Sequence, residues 1–266
     1  MIELLALDVD GTLIDEEMVV PERERRAVTQ VRGRGVTVTL ATGRMLEATL
    51  PFARALGIES PLICYQGGLI QALDAEEPLY RATMDSGLMR DVLAWRAERG
   101  WHIVLYADDA LFVSERRYPK SFYRDLLGQN LHWVDDLLSV LDEHEPVKFI
   151  FIAEPAEADR IEAATRKRFE GRMEIVRSHA KFVEGNPLGV SKGDALSRLA
   201  DHLGIPQERV MAVGDQGNDV SMISWAGVGV AMGNASPAAK AVADWIAPAF
   251  SDHGAVVAME RFILNA

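Results

Sequence analysis

Apolar residues come in two textures along this chain, and the change between them divides it into parts. Residues 2–7, IELLAL, are a nearly unbroken apolar run, the pattern of a strand buried on both faces. PERERRAVTQVRGRG (21–35) follows with apolar positions at helical spacing behind Pro21, and its cluster ERERR reads as a solvated helix face. VTVTLATGR (36–44) predicts a second buried strand, MLEATLPFARALG (45–57) a helix closing on Gly57, and PLICY (61–65) another short strand. Strand, helix, strand, helix, strand predicts a parallel sheet with right-handed crossovers.

The same rhythm returns late in the chain. SKGDALSRLADHLG (191–204) predicts a helix, VMAVGD (210–215) a strand, VSMISWAG (220–227) a helix and VGVAM (228–232) a strand, with two more helical stretches around DWIA (244–247). The middle differs. WHIVLYADDALFVSE (101–115) alternates like a hairpin, VKFIFIAE (147–154) reads as a strand after Pro146, and AEADRIEAATRKRFEG (156–171) as an exposed helix. Trp95, Trp101 and Trp133 are expected to fill this part's core. The expected organisation is one α/β sheet built by residues 1–82 and 187–266, with residues 83–186 spliced in as an α+β domain.

In open α/β sheets, ligands bind outside the carboxyl ends of the strands. Those ends carry Asp8 and Asp10 after the first strand, Thr42, Gly43 and Arg44 after the second, and Gly214, Asp215, Asn218 and Asp219 after VMAV. Three loops far apart in sequence are expected to meet in one crevice.

Charge and composition narrow what that crevice can hold. A net charge of -12 over 266 residues disfavours a grip on nucleic-acid phosphates or an anionic membrane, and favours small partners. A single cysteine, Cys64, excludes an intramolecular disulfide and a four-cysteine zinc site. With no basic leader and no apolar stretch near the roughly 20 residues that cross a bilayer, a cytoplasmic protein is expected.

Carboxylates crowded at strand ends repel one another in a partly dry cleft, so a cation is expected among them. Oxygen ligands without His or Cys point to a hard divalent ion such as Mg²⁺, which keeps waters and a substrate phosphate in its shell. Thr42, Gly43 and Arg44 offer a hydroxyl and free backbone N–H groups at a helix start, an anion site. Lys192 follows Ser191, which with Asp194 resembles a capping box; a cation at that helix end calls for a compensating anion. Alone, each feature also reads as a turn, a helix cap or a solvated lysine; it is their conjunction that points to chemistry. Nucleophilic catalysis through an aspartyl phosphate is the reaction class these groups suit, with Asp8 attacking phosphorus and Asp10 as acid and base. GVGVAMG (227–233) lacks the spacing of a dinucleotide loop and reads as a tightly packed strand, and DEHE (142–145) as a solvated loop.

These residues resemble the haloacid dehalogenase-like (HAD) superfamily of phosphohydrolases, and more narrowly its Cof-type branch with a large α+β cap. DVDGTLI resembles the first motif, ATGR the second, GVSKGDAL the third and GDQGNDVSMI the fourth, and the likeness runs on through AGVGVAMGNASPAAKAVADWI. The resemblance implies a Rossmann-like parallel-sheet core with an inserted cap. It implies Asp8 as nucleophile and Mg²⁺ ligand, Asp10 as acid/base and ligand through its backbone carbonyl, and Asp215 as a third ligand. Thr42 with Gly43, Lys192 and Asn218 would hold the phosphate, and Asp219 would act behind the ligands. CYQGG (64–68) departs from the Asn-Gly usual in relatives, and Gln66 is given no role. The expected function is a Mg²⁺-dependent phosphatase of small phosphorylated metabolites, sugar phosphates foremost. A phosphomutase or phosphotransferase with the same intermediate, and a non-catalytic phosphoacceptor or binding module, are the alternatives.

Overall fold

Four consecutive aliphatic residues form β1 (Leu4–Leu7), and all four are completely buried. An amphipathic sequence then gives α1 (Glu22–Gly33), opened by Pro21 and with Ala27, Val28 and Val31 on its buried side. β2 (Thr37–Leu40), α2 (Leu46–Ala55) and the short strands β3 (Leu62–Cys64), β4 (Leu69–Gln71) and β5 (Tyr80–Arg81) complete the first segment. The structure, a computed structural model, describes residues 1–14 and 18–265 apart from the side chains of Asp125 and Leu126. Its chain divides into two units, one of Met1–Tyr80 with Ser191–Ala266 and one of Arg81–Val190.

β3 follows the crossover through α2 and lies parallel to the end of the β2 segment, as the alternation of elements predicts. It meets the β2 side of the sheet through a parallel bridge, Ala41 with Ile63, and pairs antiparallel with β4 to form a small sheet with β5. The tight turn at residues 65–68 comes after β3 and folds the chain straight back, which sets the antiparallel pair with β4.

The second unit comprises α3 (Ser86–Ala97), β6 (Ile103–Ala107), β7 (Ala110–Val113), α4 (Lys120–Leu126), β8 (Leu131–Trp133), α5 (Leu137–Glu143), β9 (Pro146–Ile152), α6 (Pro155–Arg168), β10 (Glu174–His179) and β11 (Phe182–Asn186). The strands form one sheet in the order β10-β11-β9-β6-β7-β8, antiparallel except for β7 with β8. Alternation puts Ile103, Leu105, Phe149, Phe151 and Val183 on one face, where they pack with Leu88, Val92, Val140 and Ile161 from α3, α5 and α6. Trp95 and Trp101 meet edge to face in this core, 4.8 Å between ring centroids. Trp133 does not join them. It lies on the edge strand β8, only partly buried, against Tyr123 and beneath Arg116. Residues 142–145 are also less of a loop than expected, since α5 runs to Glu143.

The chain then returns to the first unit with α7 (Lys192–Leu203), β12 (Val210–Gly214), α8 (Val220–Trp225), β13 (Val228–Ala231), α9 (Pro237–Val242), β14 (Trp245–Ile246) and α10 (Gly254–Met259). Its main sheet is wholly parallel, in the order β14-β13-β12-β1-β2. In that register Leu7 stands opposite both Leu40 and Val213. The three strands therefore finish level, and the residues that follow emerge side by side. Among the described residues no helix is long and apolar enough to cross a membrane.

Candidate active site

The first loop turns sharply where β1 ends. Leu13 and Ile14 N–H groups both donate to the Val9 carbonyl, and Gly11 takes φ 82°, a left-handed conformation that a side chain resists. A side chain would not fit there in any case, because a Cβ on Gly11 would lie 2.5 Å from Asp215 Oδ2. The turn presents Asp8, which is buried, and Asp10, whose side chain is 54% exposed.

Lys192 reaches into this turn from α7. Ser191 Oγ accepts from the Asp194 N–H and so starts the helix, and Lys192 is buried at its first position. Its ammonium donates to Asp8 Oδ1 at 2.6 Å and to Asp219 Oδ1 at 2.5 Å. Asp219 Oδ2 accepts from the backbone N–H groups of Asp215 at 2.8 Å and Gln216 at 2.9 Å. Both oxygens of Asp219 are thus engaged within the protein.

Asp8, Asp215 and Asp219 offer oxygens that all lie within 4.8 Å of one another. With Lys192 as the ammonium among them, the buried cluster carries a formal excess of two negative charges. Burial first, and then Asp219, raise the Asp8 carboxyl well above its ordinary value despite the pull of Lys192. The same two causes bring Asp215 to about 7. Burial alone would lower Lys192, but Asp219 and Asp8 hold it above its ordinary value, so the ammonium stays charged. A divalent cation cancels that excess, and one atom is poised for it. Asp215 Oδ2 accepts from Gln216 Nε2 at 2.8 Å, whereas Asp215 Oδ1 is buried without a hydrogen-bond partner. An all-oxygen donor set of this kind suits a hard ion.

The remaining expected residues surround this cluster. Thr42 is buried after β2, and its Oγ1 accepts from the Arg44 N–H at 3.2 Å. The free amides expected at Thr42 and Arg44 are therefore taken, since Thr42 N–H also donates to the Ile63 carbonyl at 2.9 Å. Nor do these residues start a helix: α2 begins at Leu46, behind Met45. The Arg44 guanidinium instead forks onto Asp10, at 2.8 and 2.5 Å. Gly43 lies against the Gln66 carboxamide, with no room for a Cβ. Asn218 Nδ2 donates to Gln66 Oε1 at 2.9 Å, leaving Asn218 Oδ1 buried without a partner.

Gln66 thus belongs to the site, although sequence reasoning assigns it no role. Its backbone and that of Tyr65 are left-handed, at φ 60° and 52°, and Gly67 follows at 101°. A Cβ on Gly67 would collide with the Ser191 carbonyl, so this loop packs directly on the cap of the lysine helix. Asn234 and Gln216 likewise escape sequence reasoning. Both are loop amides, and nothing in a hydropathy pattern marks them; only the crowding of glycines and polar residues near strand ends hints at their neighbourhood.

Comparison with known proteins agrees with this geometry. The family of haloacid dehalogenase-like hydrolases matches residues 5–259. The chain is 30% identical over 263 residues to 5-amino-6-(5-phospho-D-ribitylamino)uracil phosphatase YcsE of Bacillus subtilis, covering 99% of this chain and 96% of the relative. It is 29% identical to the HMP-PP phosphatase of Serratia proteamaculans, over 91% of this chain and 88% of that one. Among solved structures, a haloacid dehalogenase-like hydrolase from Bacteroides thetaiotaomicron superposes with a TM-score of 0.84 at 26% identity, covering 98% of this chain and 99% of its own. The level strand ends, the lysine-bridged carboxylates and these likenesses agree, and the chain belongs to the haloacid dehalogenase-like hydrolase family as a Cof-type phosphoric monoester hydrolase.

Proposed function

We propose that the protein is a Mg²⁺-dependent phosphatase that hydrolyses small phosphorylated metabolites, sugar phosphates foremost, through an aspartyl phosphate on Asp8. The observation that carries this reading is the gathering of three buried carboxyl groups around the one ammonium of Lys192, with Asp215 Oδ1 left unpartnered beside it. The two relatives described above are named for small phosphorylated substrates, which supports the substrate class.

Asp8 and Asp215 would hold the cation, with the Asp10 backbone carbonyl. Bound there, Mg²⁺ neutralises charge on the carboxylates and on the transferring phosphoryl group. Lys192 holds Asp8 by one oxygen and so orients the other toward phosphorus. Asp8 attacks phosphorus, and the ester oxygen leaves as an alcohol with a proton from Asp10. Asp10 then takes a proton from water, which attacks the phosphoryl group, releases inorganic phosphate and restores the Asp8 carboxylate. Lys192, Thr42, Gly43 and Asn218 bind the phosphoryl oxygens. For Asp10 to donate and accept protons it must part from Arg44, to which its carboxylate is bonded in this structure. Residues 81–190, a compact unit of their own, would be the cap.

Hydrolysis of p-nitrophenyl phosphate by the purified protein tests the reading. Turnover is expected with Mg²⁺ and no acceptor alcohol, and is expected to vanish with chelator or in Asp8→Asn. Wild-type turnover in Asp8→Asn would remove the nucleophile, and turnover only with an added acceptor would make the protein a phosphotransferase.

A further inference from the structure

We propose that Asn234 is the positioning residue that aims Asp215 at the cation, an inference that rests on the cation-dependent reading above. Asn234 lies in the loop after β13, and backbone bonds hold that loop along the end of β12. The Met232 N–H donates to the Gly214 carbonyl at 3.0 Å and the Ser236 N–H to the Asp215 carbonyl at 2.8 Å. Between these anchors, Asn234 Nδ2 donates to the Gly11 carbonyl at 2.9 Å and reaches Asp215 Oδ2 at 3.5 Å. Its Oδ1 accepts from the Phe250 N–H at 2.9 Å, which fixes the amide's orientation.

A carboxylate can exchange its two oxygens by a half-turn, so a metal ligand needs something to decide which one faces the ion. Here Gln216 Nε2 and Asn234 Nδ2 both approach Asp215 Oδ2, and the oxygen left over is the buried, unpartnered Oδ1. Asn234 does more than Gln216, because its bond to Gly11 ties Asp215 to the turn that carries Asp8 and Asp10. The two loops that would share one ion are thus clasped at a set separation. An amide is well suited to this role, because it directs the carboxylate without adding positive charge that would compete with the cation. Asn234 is itself exposed, so replacing it opens no cavity.

The test is a direct Mg²⁺ titration by calorimetry without substrate, on wild type, Asn234→Ala and Asn234→Leu, with thermal melts in chelator alongside. Leu keeps the bulk of Asn without its N–H. Outer-shell partners of this kind are typically worth about 10–100-fold in metal affinity. Both variants are expected to bind Mg²⁺ at least about tenfold more weakly, with melting in chelator unchanged. In turnover of p-nitrophenyl phosphate, the Mg²⁺ needed for half-maximal rate should rise by the same factor, while KM for the ester at saturating Mg²⁺ stays within about twofold. A wild-type protein that binds no Mg²⁺ overturns the cation reading itself. A wild type that binds, with either variant binding equally well, overturns only the role of Asn234, as does a common rise in both half-saturation values.

Discussion

Removing the cation should make the protein lose stability as pH rises, opposite to the usual behaviour of paired carboxylates. Asp8 and Asp215 are both raised by burial and by Asp219, so the folded protein without a cation keeps protons that the unfolded chain has released. Their contribution is fully present below the unfolded carboxyl value near 3.8 and is lost as pH climbs through the folded value, about 7 for Asp215. At about 1.4 kcal/mol per pH unit, the rise of Asp215 alone withdraws on the order of 4 kcal/mol. At roughly 2–4 °C per kcal/mol for a chain of this size, that is a fall on the order of 10 °C in melting temperature. The assay is a series of thermal melts from pH 5 to pH 8 in chelator, for wild type and for Asp215→Asn, which keeps the shape of the side chain and cannot titrate. At pH 8 the variant should be the more stable by about 4 kcal/mol, and the gap should shrink to under about 2 kcal/mol at pH 5. Excess Mg²⁺ should restore the wild type at pH 8 and leave the variant unchanged, since only the wild type regains a full ligand set. A gap that does not vary with pH would refute the reasoning, because no proton would then be held by Asp215 in the folded state.

Other substitutions probe the same frame. Lys192→Met leaves two buried carboxylates without their ammonium and should cost about 3–5 kcal/mol in urea unfolding at pH 8 without cation; a loss under about 1 kcal/mol would contradict the bridge. Gly67→Ala forces a Cβ onto the Ser191 carbonyl at a left-handed position and should cost about 2 kcal/mol or more, with turnover falling as Lys192 shifts. A variant as stable and as active as wild type would show that this loop yields. Cys64 is fully buried and its thiol is pushed up to about 12, so a chromogenic disulfide reagent should label it only at the rate of unfolding. Prompt labelling of native protein would mean that strand β3 opens.

The sheet is legible because its strands are buried on both faces and so appear as unbroken apolar runs, as at Leu4–Leu7 and Val210–Gly214. Periodicity also locates the strand ends, and strand ends locate the acids; level register then does the rest. What escapes is set by partners rather than by pattern. β3 has three residues, too few to declare that the chain turns straight back after it, and the left-handed turn at Tyr65 and Gln66 decides that. Trp133 reads as core because it is large and apolar, yet it belongs to an edge strand. The link of Arg44 to Asp10 spans 34 positions and that of Asn234 to Gly11 spans 223, and no local spacing announces either.

The sheet order has a consequence for how the chain is made. β1 lies between β2, its early neighbour, and β12, which is translated some 200 residues later, after all of residues 81–190. Until Val210–Gly214 leaves the ribosome, one edge of a wholly apolar strand has no hydrogen-bond partner and invites pairing with other nascent chains. The interval during which the interrupting domain is synthesised is therefore the period of greatest exposure to aggregation, and slowing elongation there should increase dependence on chaperones.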